Sequence, residues 1–496
     1  MPVPKNSQRE VRAHLAVRDH RGEWLRSRVE DASHTGAMEA VKHMGEQSVG
    51  RLLVRYSLPA IAGYLANALY MFVDRILVGR GVGTDGVAAV TAALPLSIVG
   101  LALALLVGTG TGNRISVLLG QRDAKGAERV LGQGLRLAVI NGIGLALLFW
   151  AFTKPLLLAC GCAPELLPMA IPFVRIVSIG QIFLIALISM GNILRVQGRP
   201  MLGLLIMLSS NALNVGLAAL AIYGLHWGVT GTAVATAISQ AAGCLTVISF
   251  VQGKSSVLHI RRAFMKADRA IARSILSLGA PFGLMQLLAT MVFLAANHGA
   301  GGQAGTRGVA ALGVLNTVAM LLIYPPLGVM QAMQPLVGFN KGAGRMDRVR
   351  AILVRVLVAT LAMGAVFSVL VAVFSGTVAG LFSKNDVELI AMVRRGLPWF
   401  VVPITLFGVT GTMAHYFLSV HEPRRAALLL LGRQFVAMPL FVLLPKWLGF
   451  YGIYLVGPCA DLPFAIVAAA LMVRELAKLR GAPGVAKQPA LTSATG

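Results

Sequence analysis

Two carboxylates, Asp74 and Asp461, stand inside long apolar stretches of this 496-residue chain. An ionisable group in such a setting is costly and is by default a functional candidate. Asp74 lies in Met71-Phe-Val-Asp-Arg-Ile-Leu-Val-Gly-Arg80. If the stretch is helical, it sits about 6 Å below the nearer end of the first apolar stretch. Asn214 and Thr236, in the fifth and sixth stretches, lie about 14 Å and about 12 Å from the same side. Three oxygen-bearing side chains on three helices at comparable depth could hold a proton or a sodium ion. The plainer alternative pairs Asp74 with Arg75 or Arg80 and leaves Asn214 and Thr236 bonded to backbone. Asp461 is near the middle of the last stretch and Arg433 near the middle of the one before it, which predicts an ion pair. Such a pair is chiefly structural, because removing one partner strands a buried charge. Arg433, Asp461, Gln181 and Gln240 are secondary candidates; amide side chains bond across helices or line a wet cavity.

Other chemistry is poorly represented. There is no Walker A sequence and no Gly-rich dinucleotide turn after a strand. His298, His415 and His421 have no nucleophile or acid at triad-like spacing, so no catalytic residue and no enzyme activity is expected. Cys160 and Cys162 are one residue apart, and nothing nearby completes a zinc set. No metal and no cofactor beyond a coupling ion, H+ or Na+, is expected. Any transport would draw on a gradient rather than on ATP.

The elements that must position these residues are membrane spans. Hydrophobic residues make up 56% of the chain and charged ones 13%, and the mean hydropathy is +0.76. A soluble domain carries roughly 25% charged residues. A span needs about 20 apolar residues. Twelve such stretches are legible, at 52–78, 86–119, 130–153, 170–196, 200–223 and 228–251, then 273–298, 308–339, 351–375, 394–419, 424–445 and 452–475. The net charge of +25 would suggest a nucleic-acid surface in a soluble protein. Here the basic residues cluster between apolar runs without interleaved aromatics, so nucleic acid is not expected as a partner. One set of loops holds Arg122, Lys125, Arg199, Arg261, Arg262, Arg345 and Arg424, and the opposite set far fewer basic residues. By the positive-inside tendency both termini are cytoplasmic. A multi-pass protein of the cell inner (plasma) membrane is expected, surrounded by lipid bilayer and monomeric.

The halves repeat at an offset of about 220 residues. Ser57-Leu58 returns as Ser277-Leu278, Gly86-Val-Ala-Ala-Val90 as Gly308-Val-Ala-Ala-Leu312, Gly120 as Gly338, Pro200 as Pro423 and Gly231 as Gly452. Six spans per half make a parallel repeat, with a substrate path between the halves. The expected fold is therefore an all-α integral membrane protein of two pseudo-symmetric six-helix lobes. Its parts are a polar tail (1–50), an N-lobe (51–251), a basic inter-lobe linker (252–272), a C-lobe (273–478) and a C-terminal tail (479–496). The linker is expected to be a basic amphipathic helix lying on anionic lipid. Met38 and Met44 are alternative starts.

These residues resemble the multidrug and toxin extrusion (MATE) family, nearest to its DinF/MepA-like branch. Ser57-Leu-Pro-Ala-Ile61 with Tyr70 through Gly79 looks like the family's first helix. Val117-Leu-Leu-Gly-Gln121 with its basic loop resembles the family's connection between helices two and three. Gly228-Val-Thr-Gly-Thr-Ala-Val-Ala-Thr-Ala-Ile-Ser-Gln240 is similar to helix six, and Gln334-Pro-Leu-Val-Gly-Phe-Asn-Lys-Gly-Ala343 to the end of helix eight. The resemblance runs from about 50 to 478.

It implies a V-shaped pair of bundles around a central cavity, and export of amphipathic, often cationic small molecules by alternating access in exchange for protons or sodium. It also implies that Asp74 couples the ion, with Asn214 and Thr236 beside it. Two departures matter. An acid that often follows the Asn by four residues is here Ala218, and an acid in helix seven falls near Ala289. A sodium site with fewer oxygens is weaker. A single Asp still serves as a proton switch, since burial favours its neutral form and a nearby cation its charged form. Proton coupling is therefore preferred over sodium. The main alternative is a flippase for a lipid-linked or polar metabolite on the same scaffold, which would require an Arg-lined cavity; Arg175 and Arg195 are its candidates.

Overall fold

The computed structural model describes residues 39, 41–382 and 386–481. The tail residues 1–38 and the end of the chain past 481 lie outside the described residues. Every regular element described is helical. The N-lobe comprises α1 (Val49–Gly81), α2 (Thr84–Gly120), α3 (Ala124–Ala159), α4 (Leu167–Val196), α5 (Pro200–Ala219) and α6 (Gly228–Gln252). A continuous helical trace, Arg269–Gly342, follows; its 74 residues are far too many for one crossing. Ala304 and Gly305 leave helical geometry, Gly305 with φ +58°, and divide the trace into α7 (269–303) and α8 (306–342). The C-lobe is completed by α9 (Met346–Phe382), α10 (Val387–Ser419), α11 (Pro423–Leu448) and α12 (Tyr451–Gly481). Among the described residues, α1 to α6, the Arg269–Gly342 trace and α9 to α12 are long and apolar enough to cross a membrane.

The repeat is written into the backbone of the turns. At the end of α2, Gln121 N–H donates to Val117, Arg122 to Leu119 and Asp123 to Leu118. The same three-bond pattern closes α4 through Gln197, Gly198 and Arg199, α8 through Ala343, Gly344 and Arg345, and α10 through Val420, His421 and Glu422. The middle residue of each turn has positive φ: Arg122 +62°, Gly198 +84°, Gly344 +73° and His421 +62°. These four turns carry the helix C-cap logic in which a left-handed residue lets later N–H groups satisfy the last carbonyls. They also carry Arg122, Arg199, Arg345 and Arg424, and define a basic end of the molecule. The turns at the far end match in the same way, Gly83 with Gly305 and Gly228 with Gly449, all at positive φ.

The two lobes share one core at the basic end and have separate cores at the far end. One buried cluster joins Leu52, Ile115, Leu131 and Ile193 of the N-lobe to Met330, Leu336, Ile352 and Phe417 of the C-lobe. Away from the basic end, one cluster is N-lobe only, around Ala93, Phe149, Leu157 and Ala233. Another is C-lobe only, around Leu315, Val371, Leu397 and Tyr454. The pair of bundles is thus a V closed at the basic end.

Glycines permit that closure. A Cβ on Gly279 would lie 1.6 Å from the Leu106 carbonyl oxygen, and one on Gly110 2.0 Å from that of Ile275. Gly120 and Gly342 make the same approach to Phe339 and Val117. Such contact between backbones is the packing by which apolar helices associate in lipid.

Two segments differ from expectation. Residues 41–48, read as part of a polar tail, clasp the C-lobe. Met44 is fully buried, its carbonyl accepts from Asn340 Nδ2 at 3.2 Å, and Gln47 O accepts from Arg348 Nη2 at 2.6 Å. The linker after α6 is largely non-helical and folds onto α3 and α4 rather than forming the lipid-lying helix expected. Arg261 pairs with Glu128 at 2.7 Å, Gln133 Nε2 donates to Phe264 O at 3.0 Å, and Gln197 Oε1 accepts from Ser256 Oγ and Val257 N. Glu128 and Gln133 are buried polar groups of α3, and the linker satisfies them.

Candidate functional site

Asn214 and Thr236 face each other in the N-lobe. Asn214 Nδ2 donates to Thr236 Oγ1 at 3.1 Å and to Ser239 Oγ at 3.2 Å. Thr236 and Ser239 donate in turn to carbonyls one turn earlier on α6, those of Thr232 and Ala235. Ser210 of α5 donates to Ser239 O at 2.8 Å. α5 and α6 are therefore stitched by a short polar ladder inside an apolar bundle, and Asn214 is only 3% exposed. Its carbonyl oxygen Oδ1 has no hydrogen-bond partner. A buried acceptor left unpaired is costly, and each one calls for an explanation.

Asp74 reaches this ladder through Tyr70, one helical turn before it on α1. The Tyr70 phenol lies near Thr236 and within electrostatic reach of the Asp74 carboxylate. Asp74 itself is half-buried, and among the described residues it forms no ion pair within 4 Å; Arg75 is the charge that acts on it. The alternative of a salt-bridged Asp74 is not realised. The structure thus brings Asp74, Asn214 and Thr236 into one region, with Tyr70 as the link between α1 and α6. Tyr70 and Ser239 were not singled out from sequence. Their signals are spacing: Tyr70 is four residues before Asp74, and Ser239 three after Thr236, the intervals that share a helix face. Ala218, one turn past Asn214, is fully buried and offers no ligand. Among the described residues, no group of three or more His, Cys, Asp or Glu side chains could hold a metal ion.

The secondary candidates fall elsewhere. Arg433 and Asp461 form the ion pair expected of neighbouring spans, through Nε to Oδ1 and through Nη2 to Oδ2 at 3.2 Å. It joins α11 to α12 within the C-lobe, remote in sequence and lobe from Asp74. Gln181 points into the N-lobe core, where its Oε1 has no partner beside a void of about 10 Å³ lined by Ser97, Phe149 and Ser178. Gln240 packs over Gly180 of α4, and its Oε1 is also unpartnered.

Between the lobes lies a second polar place. Thr109, Asn113, Asn192, Arg195, Gln331 and Gln334 enclose a cavity of about 20 Å³. Tyr64 of α1 stacks on Tyr324 of α8 beside it, centroids 5.5 Å apart and planes 5° from parallel.

Comparison with known proteins bears on the whole chain. The family model described as MatE matches it twice, over residues 59–220 and 281–443, once per lobe. The Multidrug export protein MepA of Staphylococcus haemolyticus (strain JCSC1435) is 24% identical over 418 residues, covering 84% of this chain and 91% of that protein. MepA of Staphylococcus aureus (strain MSSA476) is 23% identical over 421 residues with the same coverage. Among solved structures, the outward-facing conformation of a multidrug resistance MATE family transporter of the MOP superfamily superposes with a TM-score of 0.82. It is 24% identical and covers 88% of this chain and 98% of that one. A MOP superfamily transporter from Pyrococcus furiosus Vc1 (DSM3638) superposes with a TM-score of 0.81 at 23% identity, with the same coverage. At these identities the structures speak for the fold.

Proposed function

The chain belongs to the MatE family, and from that premise we propose that it exports amphipathic small molecules by alternating access, exchanging them for protons. The relatives named as multidrug export proteins support the substrate class. The observation that carries the coupling is the buried Asn214–Thr236 contact with its unpaired Asn214 carbonyl oxygen, on helices against which α1 and its Asp74 pack, in a lobe whose far-end core is separate from its partner's. A carboxylate in apolar surroundings changes its preferred protonation state when its neighbours change. Protonated, Asp74 is neutral and α1 packs against α6 without a buried charge. Deprotonated, it leaves a charge beside α6 that other polar groups or water must satisfy, and α1 shifts toward a new register. The change in charge then couples a proton to helix position.

Proton is preferred over sodium because Ala218 withholds the second carboxylate. Asp74, Thr236 Oγ1 and the orphan Asn214 Oδ1 are few oxygens for a hard cation. With the basic end cytoplasmic, as the positive-inside tendency has it, the V opens outward and the protein sits in the inner (plasma) membrane as a monomer. Cationic amphiphiles, which the family resemblance implies, are the first substrates to test. The test is export of ethidium from proteoliposomes under an imposed pH gradient or an imposed sodium gradient. Export driven by the pH gradient alone is expected; export that requires sodium would replace the proton with sodium.

The flippase reading has one observation in its favour, the arginine in the inter-lobe cavity.

A further inference from the structure

We propose that the inter-lobe cavity around Arg195 binds an anionic group, a carboxylate, sulfonate or phosphate, carried on an aromatic or apolar molecule. This goes beyond the export of cationic amphiphiles by adding a site of opposite polarity, and rests on that reading only in taking the space between the lobes as the transport path.

Arg195 is near the end of α4, where a long basic side chain ordinarily extends to lipid headgroups or water. It does not do so here. Its guanidinium turns inward, donates to the Asn192 side-chain oxygen, and lies beside the Tyr64 phenol. Among the described residues no carboxylate lies within 4 Å of it, whereas Arg433 in the C-lobe has Asp461. An uncompensated guanidinium between packed helices is expensive. The Arg195 N–H groups beyond the one given to Asn192 face the cavity, where an anion would match their charge.

The rest of the lining fits an anion. Asn113, 3% exposed, has an Nδ2 donor with no partner. Asn192, Gln331 and Gln334 add amides from both lobes, and no acid lines the cavity. A guanidinium fork matches carboxylate, sulfonate and phosphate oxygens in pairs. The stacked Tyr64–Tyr324 pair forms an aromatic wall next to the charge. The site is thus a cation, amide donors and a flat apolar surface, the reverse of a receptor for organic cations.

Size sets when it works. At about 20 Å³ the cavity admits a water or so in this conformation. Its walls are α2, α4 and α8, which the rocking of the lobes separates. An anion therefore loads when the basic end is parted and is squeezed out when the lobes close on it. The two lobes contribute different walls, so occupancy is itself tied to the alternation.

The experiment uses the full chain in phosphatidylcholine nanodiscs and no ion gradient. Binding of 2-naphthalenesulfonate, 2-naphthylmethanol and 2-naphthylmethylammonium is read by calorimetric unfolding. The sulfonate should bind at least about tenfold more tightly than the ammonium. Arg195→Gln should erase the preference, Arg195→Lys should keep part of it, and Asn113→Leu should weaken the sulfonate without removing Arg195. Because no ion gradient is present and binding alone is read, a failure of proton coupling is distinguished from a failure of this site. Repetition with phosphatidylglycerol tells the sources apart: competition identifies a lipid headgroup as the anion, and no competition a small solute. Equal binding of the three probes, or a sulfonate preference undiminished in both Arg195→Gln and Asn113→Leu, would overturn the proposal.

Discussion

Asn214 donates its side-chain N–H to Thr236 Oγ1 at 3.1 Å while its own carbonyl oxygen, in the same buried place, accepts nothing. One end of the amide holds α5 to α6 and the other is left open to a visitor. Ala218 lies one turn further along α5, fully buried. A carboxylate there would add the oxygen ligands that a sodium ion demands. Ala218→Asp is therefore expected to confer sodium stimulation on a transport that the proposed proton coupling makes independent of sodium. Initial rates of ethidium export with and without sodium check this; no sodium response in either protein would show that this place does not take a metal cation, and equal stimulation of both would make sodium a ligand without the second carboxylate.

The contact of Gly279 with Leu106 predicts a conformational phenotype. A Cβ at 1.6 Å from a carbonyl oxygen is far inside the roughly 3.4 Å of ordinary contact, and backbone cannot rotate away as a side chain can. Gly279→Val should force the basic end apart and populate the opposite state. Spin-label distances between the loops holding Arg122 and Arg345 should lengthen, and transport should fall at least about tenfold as the cycle stalls. Unchanged distances would show that the closed V tolerates the extra carbon.

Arg433 and Asp461 should behave as a unit. Removing one partner from a buried pair costs about 3–5 kcal/mol, whereas replacing both with apolar residues of similar size is close to neutral. Asp461→Leu alone should lower thermal stability markedly, and Arg433→Met with Asp461→Leu should recover most of it with export intact. A stable double variant that no longer transports would give the pair a role in coupling.

His421 predicts a pH effect at the basic end. It lies in the α10–α11 turn, and burial holds its imidazole down at about 4, with Lys341 and Arg114 acting in the same direction. Nε2–H donates to the Asn113 carbonyl at 3.3 Å, which opposes the shift but does not overcome it. Glu422 beside it is tied to Arg425 at 2.7 Å. Because the folded value is below the unfolded one, near 6.5, the unfolded chain takes up the proton first as pH falls. The stabilisation by neutral His421 is complete above about pH 6.5 and is lost progressively toward pH 4. Between pH 7.5 and 5 the wild type should lose more thermal stability than His421→Asn, which keeps a donor and tolerates positive φ. Parallel losses would mean that the folded imidazole takes up its proton as readily as it does in the unfolded chain.

What the chain made legible follows from what lipid forces on it. A bilayer demands apolar runs of fixed length, so twelve spans and their repeat could be read directly, including the break near Gly305 that divides one continuous helical trace. Depth along each span placed Asn214 level with Thr236, and they are in contact. Rotation about a helix axis is harder to read, because an apolar helix in lipid has no polar face to betray its orientation. Tyr70 at Thr236, Gln181 turned into the N-lobe core and the glycine contacts between lobes all depend on that rotation. The docked linker escaped notice for another reason. Its positive charge suggested lipid, and its counterparts Glu128 and Gln133 lie more than a hundred residues away on α3.

The most direct test is proton release from proteoliposomes on addition of substrate, compared between wild type and Asp74→Asn. The account predicts substrate-driven proton movement in the wild type that is independent of sodium and absent from the variant, with the variant folded and still able to bind substrate. Proton movement of wild-type size in folded Asp74→Asn would contradict it, and would remove Asp74 from the coupling path.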